Sequence, residues 1–553
     1  MKDAEYVIGV DYGTDSVRSV LVNAHTGEEI ASSVFEYPRW KKGLFCDPPQ
    51  NQFRQHPLDY IEGLTKTIQA IVSKSPKSVV QAIRGISIDT TGSTPVAVDQ
   101  NGTPLALLPE FAKNPNAMFI LWKDHTAVEE AKEINELAKN WGGDDFTKYE
   151  GGVYSSEWFW SKILHVIRND KKVAKAAYSW VEHCDWIPAL LTGNTDPVSI
   201  KRSRCAAGHK AMWHPSWNGL PPKEFLSKLD PRLAELRDRL YTETFTSDVP
   251  VGQISKEWAK RLGLPDSVVV GVGAFDAHMG AVGAEITPYQ LVKIMGTSTC
   301  DMVVVPLEKF NNKLIQGICG QVEGSIIPGM LGLEAGQSSF GDVYAWFKEV
   351  LAWPLRTLGK RMGSASSIEK SIDQIIPELS RQAEKIPPGA SEIVALDWLN
   401  GRRTPFADQR LKGALMGLTL GSDAPRIFRA LVEATAFGAR AINDQFIKEG
   451  VPIQGIIAIG GVSKKSPFVM QIVSDVLGMK IRVVRSEQAC ALGAAMFAAT
   501  VAGIYPTVEK AQKAMGSGFE KEYKPRKENS KIYLKLYEKY KRLGAFVESE
   551  ISK

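Results

Sequence analysis

The chain has 553 residues and carries 67 Lys+Arg against 62 Asp+Glu, a net charge of +5. So even a balance excludes the large basic excess of a dedicated nucleic-acid or membrane-surface binder, and 44% apolar residues excludes wholesale disorder. One core seldom grows past ~250–300 residues, so at least two domains are expected. Cys46, Cys184, Cys205, Cys300, Cys319 and Cys490 form no CxxC and read as reduced thiols. No run of ~18 apolar residues occurs, and the apolar stretch Tyr6 to Val10 is too short for a signal peptide. The expected compartment is the cytoplasm, with neither membrane nor nucleic acid as a partner.

In chain order, Tyr6 to Val10, Val17 to Asn23 and Ile30 to Tyr37 read as three strands separated by the turns Asp11-Tyr-Gly-Thr-Asp-Ser16 and His25-Thr26-Gly27. Pro57 to Lys74 has apolar residues at helical spacing, and Arg84 to Asp89 is a strand. The same strand, Gly-Thr turn and returning strand recur later. Leu291 to Met295 leads into Gly296-Thr-Ser-Thr299, and Cys300 to Val305 follows. This predicts a duplicated unit and an α/β class, with a boundary near 285–290. A long helix is expected from Asp423, with Pro425 in its first turn and small residues Ala434, Ala436, Gly438 and Ala439 marking close packing. Ala489 to Ala499 reads as a tightly packed helix. The basic segment after Tyr523 reads as a terminal surface helix.

Turns rich in Gly, Thr and Ser can aim N–H groups and hydroxyls at an anion. The 11–16 and 296–299 turns share that composition; each taken alone reads first as a plain hairpin turn, but two matching turns, one in each half, point to a phosphate clamp. No G-x-x-x-x-G-K-[ST] motif occurs, which disfavours a P-loop. Val268 to Asp276 runs from a strand into G-x-G-x-x, but Asp276 stands where a dinucleotide fold needs a small residue. What remains is a strand that delivers a carboxylate to a glycine-rich mouth, as a general base or as a helix cap. Gly460 and Gly461 sit between a strand and a helix start with Ser466 and Pro467, either a loop that lets a flat ligand or phosphates lie close to backbone or an ordinary connection. Cys205, His209 and His214 lie close together but lack a fourth ligand nearby, which makes them a weak zinc motif. Lys210 could meet a hydroxyl-rich substrate, although most lysines are merely solvated. Trp122, Trp158, Trp160 and Trp186 are read first as core.

The ordered set Asp11-Tyr-Gly-Thr-Asp-Ser16, Asp89-Thr-Thr-Gly-Ser-Thr94, Trp122-Lys-Asp124, Gly273-Ala-Phe-Asp276, Gly296-Thr-Ser-Thr299 and Gly460-Gly461 resembles the FGGY carbohydrate kinases, within the actin-like, hexokinase-like ATPase superfamily. The likeness spans roughly residues 5–500. Within the family it is strongest toward the ketopentose kinases, through Tyr154-Ser-Ser-Glu-Trp-Phe-Trp160, Ala207-Gly-His-Lys210, Glu334-Ala-Gly-Gln-Ser338 and Leu396-Asp-Trp-Leu-Asn-Gly-Arg-Arg403.

The resemblance implies two ribonuclease-H-like domains with a cleft between them. Residues 1–287 would carry the sugar and the first phosphate turn, 288–505 the nucleotide, and 506–553 a helical tail. It implies ATP and Mg²⁺ as cofactors and a small ketose as substrate, and leaves a homo-oligomer open. Asp276 would be the general base on the sugar 5-hydroxyl, and Asp11 would hold Mg²⁺ through water. Gly13, Thr14, Ser16, Gly296, Thr297 and Ser298 would hold the triphosphate, with Gly460, Gly461 and Lys464 beside the nucleotide. Gly92, Ser93, Lys210 and Glu334 would contact the ketose. In one departure, many members specific for other polyols or ketoses carry Arg shortly after Trp-x-Asp, where this chain has His125-Thr126. The alternatives are a kinase for another ketose or pentitol, and an actin-like ATPase that clamps partner proteins.

Overall fold

The computed structural model describes residues 4–310, 313–359 and 364–551. Tyr6–Tyr12 (β1) and Ser16–Asn23 (β2) form a hairpin, extended by Glu29–Glu36 (β3). Helix Pro57–Ser73 (α1) then returns the chain to Ile83–Thr90 (β4), which pairs parallel to β1. Pro250–Gln253 (β5), Val269–Gly271 (β6) and Ala274–Phe275 (β7) complete the sheet in the order β5-β6-β4-β1-β2-β3, with β7 also on β4. Two further helices of this lobe matter below, Arg204–Lys210 (α2) and Asp276–Gly283 (α3).

The second lobe repeats the plan. Gln290–Met295 (β8) and Thr299–Pro306 (β9) form a hairpin, and Gly455–Ile459, the strand that follows the long helix, pairs parallel to β8 as β4 pairs with β1. With Gly320–Glu323 (β10), Met330–Ala335 (β11), Gly455–Ile459 (β12), Ile481–Val484 (β13) and Phe519–Tyr523 (β14), the sheet order is β10-β11-β9-β8-β12-β13-β14. Both sheets are therefore mixed: a hairpin set beside parallel strands, with helices covering the faces. The duplication read from two Gly-Thr turns is thus a repeat of strand topology, and each turn caps the hairpin at the same place in its lobe.

Among the helices of the second lobe are Gly341–Leu358 (α4), Ala424–Lys448 (α5), Gly461–Lys465 (α6), Ala489–Val501 (α7) and Lys527–Ile551 (α8). α5 starts where capping chemistry requires, with the Asp423 carboxylate accepting from Arg426 N at 3.1 Å and Pro425 in the first turn. Its small stripe is buried, and a Cβ at Gly438 would lie 2.3 Å from Asp397 Oδ2. Ser466 precedes helix Pro467–Leu477 in the cap position, but its side chain makes no capping hydrogen bond; Gly478, at φ 65°, ends that helix.

α7 is buried along nearly its whole length and crosses from the second lobe onto the first. A Cβ at Gly9 of β1 would lie 1.8 Å from Ala491 O, and one at Gly85 of β4 2.4 Å from Ala498 O. α7 also meets α3 backbone to backbone: a Cβ at Gly493 would sit 1.8 Å from Met279 O, and one at Gly283 1.9 Å from Ala489 O. One apolar core is accordingly shared, with Val7 and Val20 of the first hairpin and Val292 and Met302 of the second clustering with α3 and α7.

The terminal helix differs from the surface helix expected. Tyr533, Leu536, Tyr537, Tyr540 and Leu543 are buried on one face of α8, and Tyr540 donates to Asp397 Oδ1 at 2.8 Å. Tyrosines on one helical face carry apolar rings into the core while their hydroxyls find partners, a pattern that a count of charges hides. Among the described residues, no helix is long and apolar enough to cross a membrane.

Candidate active site

Three carboxylates gather where the first sheet ends. β1 and β4 run parallel with Asp11 opposite Asp89, and β7 places Ala274 beside Asp89, so Asp276 follows on the same edge. Gly273 must lack a side chain, since a Cβ there would lie 2.2 Å from Cys184 O. The chain thus passes from β7 directly into α3, with Asp276 as the first helical residue and its Oδ1 accepting from Ala277 N at 2.6 Å. In the run from Gly271 to Gly280, Asp276 alone keeps partial exposure.

Burial, with Asp11 and Glu334 nearby, raises the Asp276 carboxyl to about 7, against the stabilising Ala277 N–H. Burial also raises Asp11, opposed by Arg18, whose Nε lies 3.4 Å away. Asp89 is pushed far above the carboxylate range by burial, Asp11 and Asp276, and both its oxygens are buried without a hydrogen-bond partner. Asp89 belongs to a motif singled out in the sequence, but no role was assigned to it; the strand register makes it part of the cluster. An all-oxygen set with unpartnered carboxylate oxygens suits a hard cation that keeps most of its water.

The two Gly-Thr turns are built alike. Gly13 N donates to Ser16 O at 2.9 Å, and Gly296 N to Ser298 O at 3.0 Å. The first is braced by Trp122, whose indole N–H donates to Thr14 Oγ1 at 3.0 Å, and by Gln55, which donates to Thr14 O at 2.6 Å. The second is braced by the start of α4, with Phe340 N donating to Thr297 O at 2.7 Å and Gly341 N to Gly296 O at 3.1 Å. Gly296 and Thr297 are exposed and Ser298 half-buried, so this turn stays open to a ligand. Gly460 adopts φ 93° against Met295 O, where a Cβ would lie 2.6 Å away, and Gly461 has open space on its Cβ side. Lys464, on the helix that begins at Gly461, donates to Arg485 O at 2.9 Å and to Glu520 Oε1 at 2.7 Å.

The sugar-binding candidates meet across the lobes. A Cβ at Gly208 would lie 2.5 Å from Val322 of β10, so the bare glycine lets α2 press against the second sheet. This delivers Lys210, whose Nζ donates to Glu334 Oε1 at 2.8 Å and lies 4.7 Å from the Trp158 ring centroid. Burial alone would raise Glu334, but Lys210, with His209 and His278 beside it, holds the carboxylate at about 2. Burial alone would lower Lys210, but Glu334 holds it above the usual ammonium range. Both imidazoles are themselves pushed down by burial, His278 to about 4, so at neutral pH they are uncharged and Lys210 is the cation that keeps Glu334 ionised. Trp158, Trp160 and Trp186 are core, Trp158 with its ring against Lys210, whereas Trp122 is half-buried and bonds to Thr14.

Ser93 is held from two sides: its hydroxyl donates to Glu182 Oε1 at 2.6 Å, and its carbonyl accepts from Lys162 Nζ at 2.7 Å. Its side chain therefore shapes the turn, and Gly92, with open space on its Cβ side, is the member that can face a ligand. His125 lies 3.5 Å from Glu157 Oε1, and Arg403 of the second lobe reaches the other oxygen of Glu157 at 3.8 Å. Sequence reasoning gave Arg403 and Glu157 no individual roles. Cys205, His209 and His214 do not converge: His214 stacks on Tyr149 at 3.8 Å between ring centroids, and Cys205 is buried beside Phe275.

Residues 6–283 match the N-terminal domain of the FGGY family of carbohydrate kinases, and residues 291–502 match the C-terminal domain. The chain is 53% identical over 545 residues to a ribulokinase of Vibrio parahaemolyticus, covering 98% of this chain and 96% of that one. It is 39% identical over 557 residues to a ribulokinase of Halalkalibacterium halodurans, covering 97% and 94%. Among solved structures, it is similar to a xylulose kinase from Rhodospirillum rubrum (TM-score 0.77, 20% identity, 99% and 100% covered). It is likewise similar to a Plasmodium falciparum glycerol kinase with ADP (TM-score 0.74, 17% identity, 97% of each covered). The chain belongs to the FGGY family of carbohydrate kinases.

Proposed function

We propose that the protein transfers the γ-phosphoryl group of ATP to the 5-hydroxyl of L-ribulose, yielding L-ribulose 5-phosphate in the breakdown of arabinose. The relatives named ribulokinase, alike over nearly the whole chain, support the substrate. The observation that carries the chemistry is Asp276, a cleft-facing carboxyl raised to about 7, within electrostatic reach of Asp11 and of the Lys210–Glu334 pair. A base of that strength accepts a proton from an alcohol as the alcohol attacks phosphorus, and is still ionised at neutral pH often enough to do so.

Phosphoryl transfer needs in-line positioning and neutralisation of charge on the phosphate oxygens. The turns Gly13, Thr14, Ser16 and Gly296, Thr297, Ser298 would hold the phosphates from the two sides, with Gly460 and Gly461 bordering the nucleoside. Lys210 and Glu334, with Gly92 on the opposite wall, would orient the ketose hydroxyls toward Asp276. Asp11, backed by Asp89, would hold Mg²⁺ through water, and that ion supplies the charge that steadies the leaving phosphate. Approach of the lobes excludes water, which would otherwise compete with the sugar hydroxyl. Six free cysteines accord with a reducing, cytoplasmic setting.

A coupled ADP-release assay across ketopentoses, pentitols and glycerol tests this reading. The expected result is turnover that depends on sugar and is fastest with L-ribulose. Sugar-independent ADP release would overturn the kinase reading in favour of a partner-clamping ATPase, and faster turnover with another ketose would reassign the substrate.

A further inference from the structure

Beside the Lys210–Glu334 pair, three side chains from three segments converge. His209 of α2, His278 of α3 and Glu334 of β11 each offer a ligand atom, all within 4.8 Å of one another and all buried. No other group of three such ligands occurs among the described residues.

The hydrogen-bond chemistry leaves these atoms facing each other as acceptors. Ser325 Oγ donates to Val322 O at 3.1 Å, so it accepts from His209 Nε2 at 3.1 Å and fixes the proton there. His209 Nδ1 then presents a lone pair to Glu334 Oε2 at 3.3 Å, with no hydrogen bond between them. His278 Nε2 stands 3.9 Å from the same oxygen, and neither of its ring nitrogens has a hydrogen-bond partner. Space in front of His209 Nδ1 is kept by Gly320, where a Cβ would come within 2.6 Å of that nitrogen. Two imidazoles and one carboxylate are the donors of open tetrahedral zinc sites, whose ligand atoms, each ~2.0–2.1 Å from the ion, lie about 3.3 Å apart.

We propose that His209 Nδ1, His278 Nε2 and Glu334 Oε2 form a binding site for one divalent transition-metal ion of the Zn²⁺ class, and that the ion and the ketose exclude one another. Imidazole donors favour Zn²⁺, Co²⁺ or Ni²⁺ over the oxygen-seeking Mg²⁺, so the site is distinct from the Asp11–Asp89 edge. Lys210 occupies the other oxygen of Glu334, and its positive charge opposes the ion. The metal site itself stands on geometry alone; the exclusion of ketose rests on the assignment of this pocket to the sugar.

The test is titration of the full-length protein, without nucleotide, with Zn²⁺ by calorimetry and with Co²⁺ by visible absorption. One equivalent should bind, with ligand-field bands and no thiolate charge-transfer band. His278→Gln should weaken binding by at least ~10-fold, the loss seen even when only an outer partner of a metal ligand is removed. Lys210→Met should tighten it by about tenfold or more through removal of a like charge, a gain that a misfolded variant cannot produce. Saturating L-ribulose should raise the apparent metal dissociation constant in proportion to its concentration. No stoichiometric binding, or binding unchanged in both variants, overturns the site. Binding that responds to the variants but not to L-ribulose leaves the site standing, and overturns both the exclusion and the assignment of this pocket to the sugar.

Discussion

Lys210 of the first lobe and Glu334 of the second form an ion pair of 2.8 Å between side chains that are 8% and 10% exposed. The pair ties the two lobes together. Removing one partner strands the other charge, a loss of ~3–5 kcal/mol. Lys210→Met and Glu334→Gln should each lower thermal stability by that order and raise the KM for ketose. The double variant should be less damaged than the sum of the two, as a double-mutant cycle by chemical denaturation will read. Additive losses would show that the pair is not coupled. Because Glu334 is held at about 2, below its usual 4.5, its contribution is full above ~4.5 and lost as pH falls toward 2.

Asp276 predicts the opposite pH behaviour. Its folded value of about 7 lies above the usual 3.8, so the folded state holds a proton that the unfolded state has released between those values. Stability falls as pH rises through that window, while activity rises through about 7 as the base becomes free. Asp276→Asn should lower turnover by ~10²–10⁴-fold while keeping nucleotide binding. The same variant should be more stable at pH 8, by up to a few kcal/mol. Pre-steady-state chemistry and denaturation at pH 5 and pH 8 measure both effects; near-normal turnover would remove Asp276 from the mechanism.

On the proposed assignment of Thr14 to the phosphates, Trp122 is a positioning residue for the nucleotide, acting through its bond to Thr14. Trp122→Phe keeps the ring and loses the 3.0 Å bond to Thr14 Oγ1. A single hydrogen bond of about 1 kcal/mol corresponds to a ~2–10-fold rise in the KM for ATP. The KM for sugar should move less. A change confined to the sugar would place Trp122 on the wrong side of the cleft.

The crossing of α3 and α7 tolerates no side chain. Gly493→Ala would bring a Cβ to 1.8 Å from Met279 O, against backbone that cannot swing aside. The expected loss is ~1–3 kcal/mol or more, read as a drop in Tm. Gly461→Ala, with open space at its Cβ, should leave the unfolding free energy unchanged within ~0.5 kcal/mol.

The hairpins, the two Gly-Thr turns and the strand that leads into Asp276 were legible in the sequence because each is written within a few consecutive residues. Other features come from register and long-range contact. Asp89 joins the acidic edge only because β1 and β4 pair with Asp11 opposite it. Lys464 was placed beside the nucleotide from its position next to Gly460 and Gly461; its pairing with Glu520 of β14, distant in sequence, is not written locally. His209 lay in a cluster with Cys205 and His214 that the fold dissolves, and found its companions on α3 and β11 instead. The buried tyrosine face of α8 was hidden by the lysines between its members.

The helix Ala489–Val501 belongs by sequence to one half of the chain and by packing to the other, lying on strands Tyr6–Tyr12 and Ile83–Thr90 through Gly9 and Gly85. A polypeptide severed near residue 287 would leave the first fragment with a bare apolar sheet and the second with an unsheltered helix. Neither fragment would be a self-sufficient unit. Co-expressed, the two should reassemble by returning that helix to its seat, which makes this enzyme a candidate for split-reporter complementation rather than for modular exchange of its halves.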